Sequence, residues 1–461
     1  MTPDWVCDAI FYQIFPDRFR NGDPGNDPSQ VQSWGKLPDH ISFSGGDLPG
    51  IVEKLDYLQR LGVTALYLTP IFEAPSNHKY DTTNYFRVDP AFGGNAALVE
   101  LVEALHSRGM RIVLDGVFNH CSEEHPFFQD VIRKGTNSPY WDWFTVSGDG
   151  VVREPSPNYA CWAGVSSMPE WNHDNPKTRD YLLSVVRHWI RKYGIDGWRL
   201  DTVEYLPPDF VKDVRHVAKE ENPDTYILGE VMGLATSWFK HRALDGVMHY
   251  KLWEALVSFF AKEDWDAARF AGYVSSIWRS YPDERNYTSY TLLGSHDKPR
   301  FLTLADGDVR RLILAAAFLF TFPGAPAIYY GDEIGMEGGE DPDCRRTFPW
   351  EEGTWNKEVL ETFRQLIHLR AQEVCLRRGA IEFVHPHDRL NVADKLRRHL
   401  VFCRKTEEEE IVVAMNADET DHRVALPSPH HWVDLLSQER VTASIDLSPM
   451  GFRILKRLGS V

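Results

Sequence analysis

Up to about residue 380, short apolar runs rich in branched residues alternate with longer stretches whose apolar positions recur at helical spacing. The runs predict strands at Ile10–Phe15, Ala65–Thr69, Arg111–Val117, Gly197–Asp201, Tyr226–Glu230, Val247–Tyr250, Tyr290–Gly294 and Ala327–Tyr330. Between them, segments such as Leu98–Ser107, Thr178–Lys192 and Phe210–Glu220 predict amphipathic helices. Strands alternating with helices pair in parallel through crossover connections, and eight such units predict an α/β protein built on a closed (β/α)8 TIM barrel.

The rhythm breaks twice. The third strand ends near Val117 and the fourth begins only near Gly197, with a Trp-, Pro- and Gly-rich stretch between them. An insertion that long is usually functional. Residues 119–172 are therefore expected to form an inserted lobe after strand 3, leaving 1–118 and 173–380 to the barrel. After Glu382 the segments Leu400–Arg404, Ile411–Met415 and Gly451–Leu455 are short and strand-like, which predicts a C-terminal antiparallel β-sandwich domain over 381–461. The run Glu407–Glu410 reads as an exposed turn.

Composition narrows the function. A chain of 461 residues is long enough for a large barrel with satellites. A formal net charge of −17 argues against nucleic acid, whose phosphates need a basic surface. The longest apolar stretch, Leu312–Phe322, falls short of the roughly 20 residues of a membrane span and reads as a buried helix. The N-terminal MTPDWVCDAIFYQIFP lacks the features of a secretion signal, so a cytoplasmic protein is expected. The 6 cysteines form no CxxC pair, so neither a disulfide framework nor a zinc site is expected. Most of the 15 tryptophans read as core, with a minority left as candidate sugar-stacking platforms.

Barrel enzymes keep their chemistry at the C-terminal ends of the strands. Four strand ends here carry charge: Asp115 in LDGVFNH, Arg199 and Asp201 in GWRLD, Glu230 in ILGEV, and His296 and Asp297 in LLGSHD. Any one acid has a structural explanation; acids at four ends of one rim point to function. Glycosidic cleavage needs one carboxylate to attack the anomeric carbon and one carboxylic acid to protonate the leaving oxygen. Arg199, two residues before Asp201, shares its face of the strand, and its fork is expected to grip Asp201 bidentately and keep it ionised. Glu230 among other acids suits the proton donor.

DGVFNH, GWRLDTVEY, ILGEV and LLGSHD together resemble the four central motifs of the α-amylase superfamily, glycoside hydrolase family 13, and the resemblance runs along nearly the whole chain. It implies Asp201 as nucleophile, Glu230 as general acid/base and Asp297 as the third acid, with Arg199, His120 and His296 around the central sugar and Asp115 in support. FYQIFPDRF, SNHKYDTTNYFRVDP, MPEWN and YYGDEIGMEGGEDPDCRR are most similar to the cyclomaltodextrinase, neopullulanase and maltogenic amylase group. That likeness implies that His78 and Tyr80 face the sugar, Tyr80 stacking on it, and that Asp341 and Arg345 close the non-reducing side, although a plain salt bridge would explain that pair as well. Departures fall at Thr202-Val203-Glu204-Tyr205, where the group tends to read VANE, at Met232 in place of Trp, and at Trp171 in place of Leu. Group members carry an N-terminal β domain that builds their dimer. The sequence here starts at the barrel, so a monomer or a dimer of another kind is expected.

Asn21, Asp23, Asn26, Asp27, Asp47 and the Gly45 carbonyl offer oxygen ligands on Gly- and Pro-rich loops. On spacing alone a capped polar turn explains them; the resemblance implies a structural Ca2+ site there. The second superfamily calcium site takes a His four residues after the nucleophile; Tyr205 stands there, so that site is not expected. The function expected is retaining hydrolysis of α-1,4 bonds in cyclodextrins, maltodextrins or starch, with α-1,6 bonds of pullulan open. A glucanotransferase using the same intermediate, and a silent carbohydrate-binding scaffold, are the alternatives.

Overall fold

The structure, a computed structural model, describes residues 2–384, 398–427 and 431–458. Eight parallel strands close into a barrel: β1 (Phe11–Ile14), β2 (Ala65–Leu68), β3 (Arg111–Gly116), β4 (Gly197–Leu200), β5 (Tyr226–Val231), β6 (Gly246–His249), β7 (Tyr290–Leu292) and β8 (Ala325–Tyr329). Each pairs with the next in chain order, and β8 closes on β1. Phe11, Tyr67, Val113, Leu228, Met248 and Tyr290 fill the barrel interior. Alternate residues such as Tyr12, Leu66, Ile112 and Ile227 pack outward under the helices. Burial of both faces is why these strands read as unbroken apolar runs.

The helical wrapping follows local signals. α1 (Gly94–Ser107) turns Leu98, Leu101, Val102 and Leu105 inward. α2 (Pro176–Tyr193) starts at an Asn175 cap followed by Pro and stops at Gly194 in the left-handed region. α3 is Pro208–Glu221. α4 (Val309–Thr321) holds the long apolar run and is buried almost all round, because the barrel lies on one side and the C-terminal sheet on the other. Its Phe318 meets Phe260 at 6.1 Å and Phe402 of the sheet at 5.4 Å. Among the described residues, no helix is long and apolar enough to cross a membrane.

Residues 119–172 stand over the rim of the barrel. They contain the helix Pro126–Lys134, short turns and isolated bridges that tie His120 to Glu170 and Phe144 to Trp171. Trp171 serves this lobe as core: it is 3% exposed, stacks on Phe144 at 4.9 Å and donates Nε1–H to the Tyr85 hydroxyl at 3.2 Å.

The C-terminal region is a lopsided two-layer sandwich. One sheet has the order β9 (Ala380–Phe383), β10 (His399–Lys405), β11 (Glu410–Asn416), β16 (Gly451–Arg457), β13 (Trp432–Asp434), β14 (Arg440–Val441). The other is the pair β12 (His422–Ala425) and β15 (Ser444–Leu447). Val401, Cys403, Val412 and Leu455 meet Val424, Ile445 and Leu447 between the layers. The reading of Glu407–Glu410 as an exposed turn holds only for its first half. Glu410 is already in β11, and Glu409 and Glu410 are half-buried and paired with Lys456 and Arg457 at 2.6 and 2.9 Å. Cations on the neighbouring strand draw the run inward.

Candidate active site

Asp115 and Arg199 are register partners on β3 and β4, Asp201 follows β4, and Glu230 lies one position before the end of β5. Parallel neighbours in register bring these ends to one level, and Arg199 becomes their hub. Its Nη1 lies 2.8 Å from Asp201 Oδ1 and 3.0 and 3.1 Å from the two Asp115 oxygens, while Nη2 lies 2.6 Å from Glu230 Oε1. The expected bidentate grip on Asp201 alone is therefore replaced by one guanidinium divided among three carboxylates. Sequence spacing pointed to Asp201; the other two partners come from neighbouring strands.

The chain turns sharply after Asp201. Thr202 has φ +41°, an uncommon conformation for a β-branched residue, which costs on the order of 1–3 kcal/mol. That turn aims the Thr202 N–H at Glu230 Oε2, 2.8 Å away. Strain beside the reacting carboxylates is thus tied to orienting one of them.

Burial dominates the electrostatics. It pushes the Glu230 carboxyl up to about 7, with Asp297 and Asp115 adding to the rise and Arg199 opposing it. Burial, then Glu230, Asp115 and Asp297, also raise Asp201 against the pull of Arg199. One guanidinium cannot neutralise all of these acids, so they titrate as a unit that retains a proton near neutrality. Asp297 goes the other way. Burial raises it, but His296, Arg345, Arg199 and Lys298 together hold it below the usual range, and 31% of its side-chain surface remains exposed.

The surrounding rings are locked. The Tyr80 ring lies parallel to His296 at 5.6 Å and 7°, with its hydroxyl 2.5 Å from His296 Nε2 and 3.0 Å from Asp115 Oδ2. Gln13 Nε2 lies 2.7 Å from His296 Nδ1; as donor it leaves the imidazole proton on Nε2, facing Asp297 Oδ2 at 3.2 Å. Burial lowers His120 and His296 to about 3 and His78 to about 4, so all three are neutral hydrogen-bonding groups at neutral pH. His120 Nε2 is buried with no hydrogen-bond partner, the state of a group awaiting a ligand hydroxyl.

A pocket of about 420 Å³ opens above this cluster, between the barrel rim and the lobe. Its wall includes His78, Tyr80, His120, Asp201, Glu230, Asp297, Asp341 and Arg345. Arg345 reaches Asp341 at 2.9 Å and Asp297 at 3.2 Å, so the ion pair is itself part of the wall. Arg199 and His296 are fully buried under that wall and reach it only through the carboxylates and Tyr80. The structure adds residues that the motifs did not single out. Tyr67 donates to Asp115 at 2.6 Å and Gln13 orients His296; both lie inside apolar strand runs that hide them. Trp162 and Met168 enter from the lobe. Glu204 accepts the Met232 N–H at 2.7 Å, and Tyr205 and Met232, 66% and 40% exposed, leave an apolar rim.

The oxygen-rich loop carries turn bonds and something more. Asp47 accepts N–H groups of Gly22, Asp23 and Gly50 and the Asn26 amide, and Asp23 accepts from Gly25. Asn21 donates to Asp27, but the Oδ1 atoms of Asn21 and Asn26 are buried with no hydrogen-bond partner. Gly45 has φ +81°, and a Cβ there would come within 2.4 Å of Asp27 Oδ1. Asp27 is raised by burial and by its neighbours Asp47 and Asp23, against the Asn21 bond. Two orphaned carbonyl oxygens among crowded carboxylates suit a hard cation.

Three comparisons place this geometry among known proteins. The profile of the Alpha-amylase family, Alpha amylase, catalytic domain, matches residues 13–369. A cyclomaltodextrinase of Geobacillus thermopakistaniensis is 45% identical over 98% of this chain and 77% of its own length. An intracellular maltogenic amylase of Bacillus subtilis is 40% identical over 92% of this chain and 71% of its own. The solved cyclic α-maltosyl-(1→6)-maltose hydrolase of Arthrobacter globiformis, in complex with that sugar, superposes with a TM-score of 0.91 at 37% identity, covering 99% of this chain and 100% of that one.

Proposed function

The chain belongs to the alpha-amylase family, and from that premise we propose that it is a retaining α-glucoside hydrolase cleaving α-1,4 bonds of cyclodextrins, maltodextrins and starch. Asp201 attacks the anomeric carbon while Glu230 gives its proton to the glycosidic oxygen, leaving a β-glycosyl ester on Asp201. Glu230, now ionised, takes a proton from water, which attacks the same carbon and releases the sugar with its α configuration retained. Asp297, held ionised beside Arg345, accepts hydroxyl hydrogen bonds as the ring flattens. The observation that carries this reading is the single Arg199 guanidinium holding Asp201 and Glu230 side by side under an open pocket. Carboxyl pairs about 5–5.5 Å apart go with retention.

Chromatography of products from β-cyclodextrin, soluble starch and pullulan tests the reading. Faster loss of cyclodextrin than starch, ending in maltose and glucose of α configuration, is expected. Inertness on all three would overturn it. Transfer to a second sugar is a second reading, favoured by the apolar rim of Tyr205 and Met232 beside the pocket. Early products longer than the supplied maltooligosaccharide would mark it, while cleavage of pullulan at its α-1,6 bonds would widen the hydrolase reading. A cytoplasmic site of action belongs to the same proposal, supported by the name of the Bacillus subtilis relative, an intracellular maltogenic amylase, and is tested by cell fractionation.

Asn21, Asp23, Asn26, Asp27, Asp47 and the Gly45 carbonyl are read as a structural Ca2+ site, supported by the two orphaned amide oxygens. Chelation should lower the melting midpoint by several degrees and added Ca2+ should restore it. Asp27→Asn should blunt both effects; a midpoint indifferent to Ca2+ would return the loop to a polar turn.

A further inference from the structure

Two histidines and an aspartate meet at one end of the C-terminal sandwich, away from the carboxylate cluster. His399 opens β10 in the larger sheet, His422 opens β12 in the smaller, and Asp418 sits in the turn between β11 and β12. One nitrogen from each imidazole and one Asp418 oxygen all lie within 4.8 Å of one another. His422 Nε2 is 3.2 Å from Asp418 Oδ2, and the two imidazole rings are 4.9 Å apart.

We infer that His399, Asp418 and His422 form a binding site for a divalent transition metal, Zn2+ by its ligand set, that pins the two sheets together. Two imidazoles and one carboxylate suit Zn2+, whereas Ca2+ and Mg2+ require oxygen ligands that this corner supplies only through Asp418. All three residues are half-buried, and three protein ligands leave the fourth position of a tetrahedral Zn2+ to water. The local frame already holds the carboxylate: Asp418 Oδ2 accepts the Arg398 N–H at 3.2 Å, and the Asp418 N–H donates to Asn416 Oδ1 at 3.1 Å. Two charged neighbours among the described residues are engaged elsewhere. The Arg398 guanidinium turns to Glu263 and the Phe259 carbonyl, and Glu419 pairs with Arg310 at 2.9 Å. The sequence concealed this site because its ligands are separated by 19 and 4 residues and carry no cysteine; only the pairing of sheets brings them together.

The ligands come from both layers, and the smaller layer is a two-stranded pair, held to the larger sheet by side-chain packing. A metal bridging His399 and His422 therefore ties that pair to the larger sheet. The experiment uses the full chain, stripped of metals and resaturated with Ca2+, then dialysed against micromolar ZnCl2 and assayed for bound zinc. Wild type is expected to hold one more equivalent of zinc than His422→Gln and Asp418→Asn, and Zn2+ should raise the wild-type melting midpoint but not that of the variants. Co2+ should give a visible d–d absorption in wild type that the variants lack. Cyclodextrin hydrolysis by the zinc-free proteins should be equal. Equal zinc in wild type and both variants, or a wild-type midpoint unmoved by Zn2+, would overturn the assignment.

Discussion

Arg199 and Arg370 are both completely buried, and they do opposite things with the same guanidinium. Arg199 sits among Asp115, Asp201 and Glu230, and Asp115 and Glu230 above all overcome burial and raise its pKa well above normal. Arg370 donates only to carbonyls: Phe320, Phe322 and Leu376 at 2.9 Å through Nη1, and Gly324 at 2.5 Å through Nη2. Arg404 of the C-terminal sheet does the same for Leu376 and Gly379 at 2.7 Å. Without carboxylate partners, burial lowers Arg370 well below normal and Arg404 to about 10. A carboxylate partner can take up or give away a proton or attack a carbon; a carbonyl only fixes a position. Arg199 thus anchors groups that react, while Arg370 and Arg404 lock the end of α4 to the sheet behind it.

The largest expected effect separates the two hubs on the reactive side. Asp201→Asn keeps the shape of the cluster and removes the attacking charge, so turnover of cyclodextrin should fall on the order of 10⁵-fold or more. The same change relieves crowding among buried acids, so its melting midpoint should stay level or rise. Turnover near wild type would end the assignment of Asp201. A collapse in stability would mean that the cluster is a structural ion network.

Arg370→Met should show the reverse. It leaves the buried carbonyls of Phe320, Phe322 and Gly324 without this donor, while Leu376 keeps Arg404, and a cost of about 3 kcal/mol is expected, read as a drop in midpoint. The folded fraction should keep its kcat/KM within about twofold, since Arg370 touches none of the reacting groups. A selective loss of kcat/KM would break the contrast by showing that the α4 lock is felt at the pocket.

This contrast also marks what the sequence made legible. The eight barrel strands were readable because burial on both faces leaves an unbroken apolar run, and Asp115, Asp201, Glu230 and Asp297 were readable because a charge ending such a run is conspicuous. Partners brought by pairing were not readable. Nothing local tells Arg199 to divide its fork, and Gln13 lies 283 residues from the His296 it orients. Nothing in the sequence marks Arg370 and Arg404 as buried, since carbonyl acceptors leave no trace in it. His399 and His422 were hidden for the same reason, and Glu409 and Glu410 looked exposed because their cations lie on β16.

The smallest expected effect tests whether the reactive hub holds its proton where the mechanism needs it. A carboxyl raised to about 7 is the protonated donor below that pH and an ineffective carboxylate above it, so kcat/KM should fall as pH rises through about 7, approaching tenfold per unit. On the acid side, kcat/KM should rise as the cluster loses its first proton, giving a bell whose limbs belong to the group as a whole. An aryl maltoside whose leaving group departs unprotonated distinguishes donor from bystander. With it, the alkaline limb of glycosyl-enzyme formation should flatten, because Glu230 is no longer asked for a proton in that step. Asp297 is among the causes that raise Glu230, so Asp297→Asn should move the natural-substrate limb to lower pH while lowering the rate. A limb that stayed put in Asp297→Asn and persisted with the aryl substrate would place the titrating group outside the cluster. The proton would then belong to the fold, and the distinction between the two arginine hubs would fail at the point where it matters for catalysis.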